Sequence, residues 1–211
     1  MTKTITRLFD DYSDATAALH DLERLGVPHD SVSIVANNAD GAHGDAATSL
    51  GDVNDHGDVS RGVSTGAAVG GVGGLLAGLG LLAIPGLGPI VAAGWLASTV
   101  VGAGIGAAGG AATGTIVGAL KDAGHSDDEA HVYSEGVRRG GTLLSARVDD
   151  SLATEAEAVL DRNRSVDAST RGSAYRQDGW SSFDDTAPAY SRDEVAVERD
   201  RYRSTPTSTT Y

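Results

Sequence analysis

The sequence predicts an α+β domain that is split in two by an inserted glycine-zipper helical hairpin and followed by a polar tail. Three observations carry this reading. Period-two apolar alternation and helical spacing follow one another in residues 3–36 and again in 121–170. Between these halves, Gly62 to Leu120 holds no charged residue, and Arg61 and Lys121 stand at its borders. Beyond residue 170 no apolar period is sustained.

In the first half, 3–36, Thr4 to Phe9 alternates Ile5 and Leu8-Phe9 with polar residues and predicts a strand. Ser13 is placed to cap a following helix, in which Ala15, Ala18, Leu19, Leu22 and Leu25 recur on one face. Gly26 ends that helix, Val27-Pro28 turns the chain, and Ser31 to Ala36 predicts a second strand. Residues 37–61 are rich in Asp, Gly, Ala and Asn, with almost no large apolar side chain. A segment that cannot bury a core reads as a flexible acidic linker.

The second half, 121–170, opens with Ser126-Asp127-Asp128-Glu129, the reciprocal Ser and Glu spacing of a capping box. Ala130, Tyr133 and Val137 mark the inward face of the helix it starts, and Gly140-Gly141 stop it. Thr142 to Val148 predicts a third strand. Ser151 or Asp150 then caps a helix with Leu152, Ala156, Val159 and Leu160 inward, and Ser165 to Ala168 reads as a short fourth strand. With the insert and its leading helix removed, the order is β-α-β-β-α-β, that of a ferredoxin-like domain with a four-stranded antiparallel sheet and two helices on one face. The tail, 171–211, is Ser, Thr, Asp, Arg and Pro with scattered aromatics, and is expected to be disordered. Trp180, Phe183 and Tyr190 stand out in it, but the sequence names no partner for them.

The insert, 62–120, is the most informative segment. Gly66, Gly70, Gly74 and Gly78 are four apart, and so are Gly94, Ser98, Gly102, Gly106, Gly110, Gly114 and Gly118. Residues four apart share a helix face, and a column of small side chains there is a groove for another helix backbone. Pro85, Gly86, Gly88 and Pro89 interrupt the run and predict a turn between helices over 64–84 and 90–120. Each helical glycine costs about 1 kcal/mol relative to alanine in water, so such a hairpin needs close packing or hydrocarbon around it. The first helix would reach about 31 Å, close to a hydrocarbon core. Leu75, Leu76, Leu79, Leu81, Leu82, Ile90, Val91, Trp95, Leu96, Val100, Val101 and Ile105 are expected to face lipid. Because both halves of the domain must meet in one sheet, the hairpin is expected to enter and leave the membrane from the cytoplasmic side. The first residues, MTKTITRLFDDYSD, lack the apolar core of a signal peptide and agree with a cytoplasmic start.

Composition bounds the remaining functions. A net charge of -13 in 211 residues argues against nucleic acid, which demands clustered Lys and Arg. Without cysteine there is no disulfide and no thiolate metal site. His43, Asp45, Asp52, Asp55, His56 and Asp58 read as a solvated acidic loop rather than a cation site, and neither a metal nor a cofactor is expected. GAAVGGVGG is followed by no Lys-Ser/Thr, which excludes a phosphate loop. Arg138-Arg139, at a helix end, read as complements of its dipole. No paired carboxylates or Ser-His-Asp set is evident, so no catalytic residue is assigned.

Leu8-Phe9-Asp10, the centre GLGLLAIPGLGPIVAAG from Gly78 to Gly94, and the stretch Ala130 to Gly141 that ends in EGVRRGG together resemble the bacterial general stress protein 17M-like (heat-induced stress protein) domain family. The resemblance covers about residues 3–170 and leaves out the linker and the tail. It implies a stress-associated bacterial protein with no established reaction, and hence no catalytic residues to carry over. The expected function is non-catalytic: membrane association through the zipper hairpin, acting by anchoring or homo-oligomerisation. The alternative is a cytoplasmic module whose hairpins pack copies together.

Overall fold

A computed structural model describes residues 2–41, 80–84, 86–99 and 116–203. In chain order these form β1 (Thr2–Phe9), α1 (Tyr12–Leu25), β2 (Val32–Asn37), β3 (Gly80–Ile84), β4 (Gly88–Ala93), α2 (Ile116–Asp122), α3 (Asp127–Arg138), β5 (Thr142–Asp149), α4 (Ala153–Arg162), α5 (Ala168–Gln177) and α6 (Arg192–Arg203). The fold is α+β, built on one antiparallel sheet in the order β1-β5-β2-β4-β3.

The two halves of the chain interleave. β5 lies between β1 and β2, with Thr2 opposite Asp149 and Phe9 opposite Thr142 on one side, and Val32 opposite Ala146 on the other. The predicted fourth strand is reduced to one antiparallel bridge, Leu8 to Val166, on the outer side of β1. Ser165 is too soon after α4 for a longer pairing: its N–H still bonds to the Leu160 carbonyl, and α5 starts at Ala168.

Both faces of the sheet are covered. On one, α1 and α4 pack Ala15, Ala18, Leu19, Leu22, Ala156, Val159 and Leu160 against Ile5, Phe9, Ile34, Leu144 and Ala146. On the other, Leu8, Val35, Leu143, Ile90 and Ala92 meet Ile116, Leu120, Ala130, Tyr133 and Val137 of α2 and α3. The expectation of helices on one face only is thereby extended. β2 (VSIVAN) is buried at every position, because alternate residues feed the two cores.

Local signals act as their chemistry requires, with two exceptions. The capping box is formed: Ser126 Oγ accepts from the Glu129 N–H at 3.3 Å, and Glu129 accepts from the Ser126 N–H at 2.9 Å. Gly26 caps α1 in the left-handed region at φ 102. Ser13, however, sits inside α1, whose N-cap is Asp11, and α4 is preceded by a 3-10 turn over Asp150–Leu152 rather than by a side-chain cap.

The largest correction concerns the centre of the insert. Residues 80–93 are not the junction of two helices. β3 and β4 form a β-hairpin, with Gly80 opposite Ala92 and Ile84 opposite Gly88, and β4 extends the sheet by pairing with β2. Pro89 interrupts helix and is tolerated here, since its missing N–H falls at the hairpin end while its carbonyl accepts from the Asn38 N–H at 2.9 Å. Ile90, Val91 and Leu96, expected to face lipid, are instead buried in the two cores. The second correction concerns the tail: up to Arg203 it is ordered as α5, a connecting segment and α6.

Candidate functional site

The predicted site residues divide between described and undescribed segments. Gly66, Gly70, Gly74, Gly78, Gly102, Gly106, Gly110 and Gly114 lie outside the described residues, as does Pro85. Of the remaining zipper residues, Gly94 is a bend with φ 87 after β4, Ser98 lies in helix among the described residues 95–99, and Gly118 is in α2. The Ser98 N–H donates to the Gly94 carbonyl at 3.3 Å, so these two stand one helical turn apart, whereas Gly118 lies in α2. Gly86 and Gly88 make the β3–β4 turn at φ 76 and 84, a region that only glycine enters without strain. Among the described residues no helix is long and apolar enough to cross a membrane, and no group of three metal-capable side chains occurs.

What the structure builds instead is a dock around the EGVRRGG motif. Glu135 is 1 % exposed on α3, facing the C-terminal segment. Arg139 Nε donates to one of its oxygens at 2.7 Å, and Arg138 Nη1 to the other at 3.2 Å. Burial alone would lower the Arg139 pKa; the hydrogen bond and charge of Glu135 outweigh it and hold the guanidinium firmly protonated. The two arginines then reach outward. Arg139 Nη1 donates to Glu198 of α6 at 3.0 Å, and its guanidinium lies 4.3 Å from the centre of the Tyr175 ring. Arg138 Nη2 donates to the Pro188 carbonyl at 3.1 Å and lies 4.9 Å over Tyr190.

The C-terminal segment answers with its own cations and rings. Arg199 Nε donates to the Gly140 carbonyl at 2.7 Å, its Nη1 pairs with Asp40, and its Nη2 donates to the Asn37 carbonyl at 3.4 Å. Arg171, 4 % exposed, donates to both oxygens of Asp10 at 2.7 and 2.8 Å and stacks 4.1 Å over Tyr202. Tyr175 meets Trp180 and Tyr202 edge-on, at 5.7 and 5.8 Å between ring centres. Burial pushes the Tyr175 hydroxyl far above its ordinary value, so the ring stays neutral among the arginines. Val195 is fully buried against this surface, whereas Val197 on the same helix is 62 % exposed.

A second polar cluster lies under α3. Thr6 Oγ1 is 2.7 Å from His125 Nε2 and 2.8 Å from Ser145 Oγ, and Tyr133 donates to the Thr6 carbonyl at 2.7 Å. Glu129 is 3.8 Å from the other nitrogen of His125. A hydroxyl, an imidazole and a carboxylate in sequence are the parts of an activated nucleophile. Here Thr6 is 1 % and Ser145 0 % exposed, so no substrate reaches either oxygen. The cluster satisfies buried polar atoms and ties the loop before α3 to the sheet. Burial lowers the His125 pKa; Glu129 opposes this and Arg7 adds to it. Burial also drives the Tyr133 hydroxyl up to about 12.

Sequence reasoning assigned Arg138 and Arg139 to the helix dipole and left Glu135, Arg171, Tyr175 and Tyr202 without a role. The available signal was in the tail itself. Ser191 and Glu194 have capping-box spacing, and their reciprocal bonds are made at 3.4 and 2.7 Å. Asp167 likewise caps α5 through the Thr170 N–H at 2.8 Å, and its contacts to Ser169 and Thr170 outweigh burial and bring its pKa down to about 2. No protein-family model, no curated protein and no solved structure matches the chain.

Proposed function

We propose that the chain is a non-catalytic, stress-associated bacterial protein that acts by self-association through its glycine-spaced segments. The observation that carries this is the β3–β4 hairpin. It takes the centre of the uncharged stretch into the sheet, with Ile84, Leu87, Ile90 and Leu96 buried. The uncharged residues on either side are then 62–79 and 94–120, runs of 18 and 27 residues. Written as helices, such runs reach about 27 and 40 Å, and because each lies between two elements of the same fold it would have to cross the roughly 30 Å of a hydrocarbon core twice. They are better suited to pack against one another's small-residue columns, in the same chain or in another copy, than to span a bilayer.

The scaffold for this is read as a split ferredoxin-like unit. Val166, β1, β5 and β2 follow one another across the sheet, and α1 and α4 share one face, which supports that order. A membrane surface is the second reading, favoured by the lack of any charge from Gly62 to Leu120.

Sedimentation of the full chain and of Gly106→Leu tests the proposal, with flotation on phospholipid vesicles alongside. The expected result is an oligomer that Gly106→Leu dissociates while Val101→Leu leaves it intact. A monomer at every concentration would overturn self-association. Flotation of the wild type with a monomeric protein in solution would establish the membrane reading in its place.

A further inference from the structure

The C-terminal segment does more than dock on EGVRRGG: it also closes over the tip of the β3–β4 hairpin. A Cβ at Gly86 would stand 2.7 Å from the Asp185 Cα and 3.0 Å from the Asp184 carbonyl oxygen, and one at Gly88 would stand 2.9 Å from the Ala189 Cβ. The turn glycines therefore leave room for residues 184–189 to lie across the turn. Phe183, 7 % exposed, joins Leu87 and Ile90 in the same apolar cluster. Arg138 then ties the far end of this crossing through the Pro188 carbonyl and the Tyr190 ring. On the other side, β3 is the last strand of the sheet among the described residues, so the hairpin is held by β2, by its buried side chains and by this cover.

The two ends of the cover are held differently from the sheet. The sheet is clamped by apolar side chains on both faces. α6 places one fully buried apolar side chain, Val195, and otherwise relies on Glu198 with Arg139, Arg199 with Asp40, and Tyr202 under Arg171. The paired side chains are 10–23 % exposed, so raised salt screens them less than open surface pairs but still acts against them, whereas apolar burial is not weakened by salt in this way. Charge therefore makes the cover separable from the sheet beneath it.

We propose that residues 178–203 are an ionic-strength-sensitive latch that keeps the β3–β4 hairpin seated on the sheet and releases it when the EGVRRGG dock opens. The regulation this supplies rests on the self-association reading: both glycine-spaced runs attach to the hairpin or to the segment just after it, so seating the hairpin restrains where they emerge. Low ionic strength favours the closed form. Raised ionic strength, or loss of the Arg139–Glu198 pair, favours the open one.

Hydrogen exchange read by mass spectrometry on the full chain tests this, at low and high sodium chloride, for the wild type, Glu198→Lys, Val195→Asp and Val197→Asp. The expected result is that salt, Glu198→Lys and Val195→Asp each speed exchange in 178–203 and in 86–93 by about tenfold or more, while β1, β2 and β5 keep their protection. Val197→Asp, on the exposed side of α6, leaves both segments unchanged. Protection in β5 reports in the same measurement that each variant is folded. The latch is overturned if 178–203 stay as protected as β5 under all of these changes, or if they open while 86–93 do not respond. Sedimentation of the same samples separates the two ideas. Coupled opening in a protein that never associates removes self-association and leaves the latch; association with uncoupled opening does the reverse.

Discussion

The α1/α4 side of the sheet and the C-terminal dock are equally ordered but are held by different forces. Under α1 and α4 the contacts are Phe9, Leu19, Leu22, Ile34, Leu144 and Leu160, each at most 1 % exposed. Around EGVRRGG they are Glu135, two arginines, Asp10 with Arg171, and the rings of Tyr175, Tyr190 and Tyr202. The first region depends on area removed from water. The second depends on every buried charge finding its partner, because an ion left alone in such a place is costly while a complete set is close to neutral. The difference teaches that ordered structure in this chain is of two kinds, one held by apolar area and one by the completeness of an ion set.

The comparison is broken most severely on the apolar side. Phe9→Ala should lower global stability by about 3–5 kcal/mol, equally at low and high salt, as read by urea unfolding followed by circular dichroism. Survival of the full unfolding midpoint would mean that the α1/α4 core is not what holds the sheet. Glu135→Ala comes next, at about 3 kcal/mol, because it strands Arg138 and Arg139. Its effect should fall first on the dock: Trp180, packed on Tyr175, should change its emission before the sheet unfolds. One cooperative transition seen by both probes would merge the two regions into one.

α3 belongs to both regions, so weakening it should act on both at once. Ser126→Ala removes the cap at the far end of that helix from the dock and should cost about 1 kcal/mol in the same unfolding experiment. A loss confined to 178–203 would show that α3 serves the dock alone. The smallest effect expected is that of pH at His125. Its pKa in the folded protein is lowered below the ordinary 6.5, chiefly by burial beside Thr6 and Tyr133, with Arg7 adding and Glu129 opposing. The unfolded chain therefore takes up the proton first. Stability contributed by the neutral ring is complete above 6.5 and falls as pH drops below it. His125→Phe should remove that part of the slope between neutral and mildly acidic pH, and an unchanged slope would place the proton elsewhere.

Sequence legibility follows the same division. β1, α1, α3, β5 and α4 are readable because each has a face that must be apolar, and Ile5, Leu19, Val137 and Leu160 recur at the period of their element; β2, buried throughout, is readable as a short β-branched run after the Pro28 turn. The β3–β4 hairpin is hidden by its surroundings. GLLAI and GPIVAA lie inside an uncharged stretch whose four-residue glycine spacing is the stronger signal, and β4, buried from Ile90 to Ala93, has no polar alternation to set against it. α5 and α6 are hidden for the opposite reason. RDEVAVERDRYR has one buried apolar residue, Val195, and its docking partners are ions and rings far away in sequence. The arginines of EGVRRGG are visible as a motif, but Glu198 is 59 residues from Arg139, and no local rule pairs them.

The placement of β5 between β1 and β2 has a consequence for the birth of the molecule. A ribosome releases β1 and β2 early, as two strands with a one-strand gap between them. Thr2 waits for Asp149, and Val32 for Ala146, so the gap is filled only after the glycine-spaced residues have already emerged. Contacts at such sequence separation close slowly, since most of the loop entropy is lost before any pairing energy is gained. For that interval the nascent chain carries its uncharged stretch without a finished sheet beside it. Unpaired strand edges and apolar surface exposed at that stage are what chaperones cover.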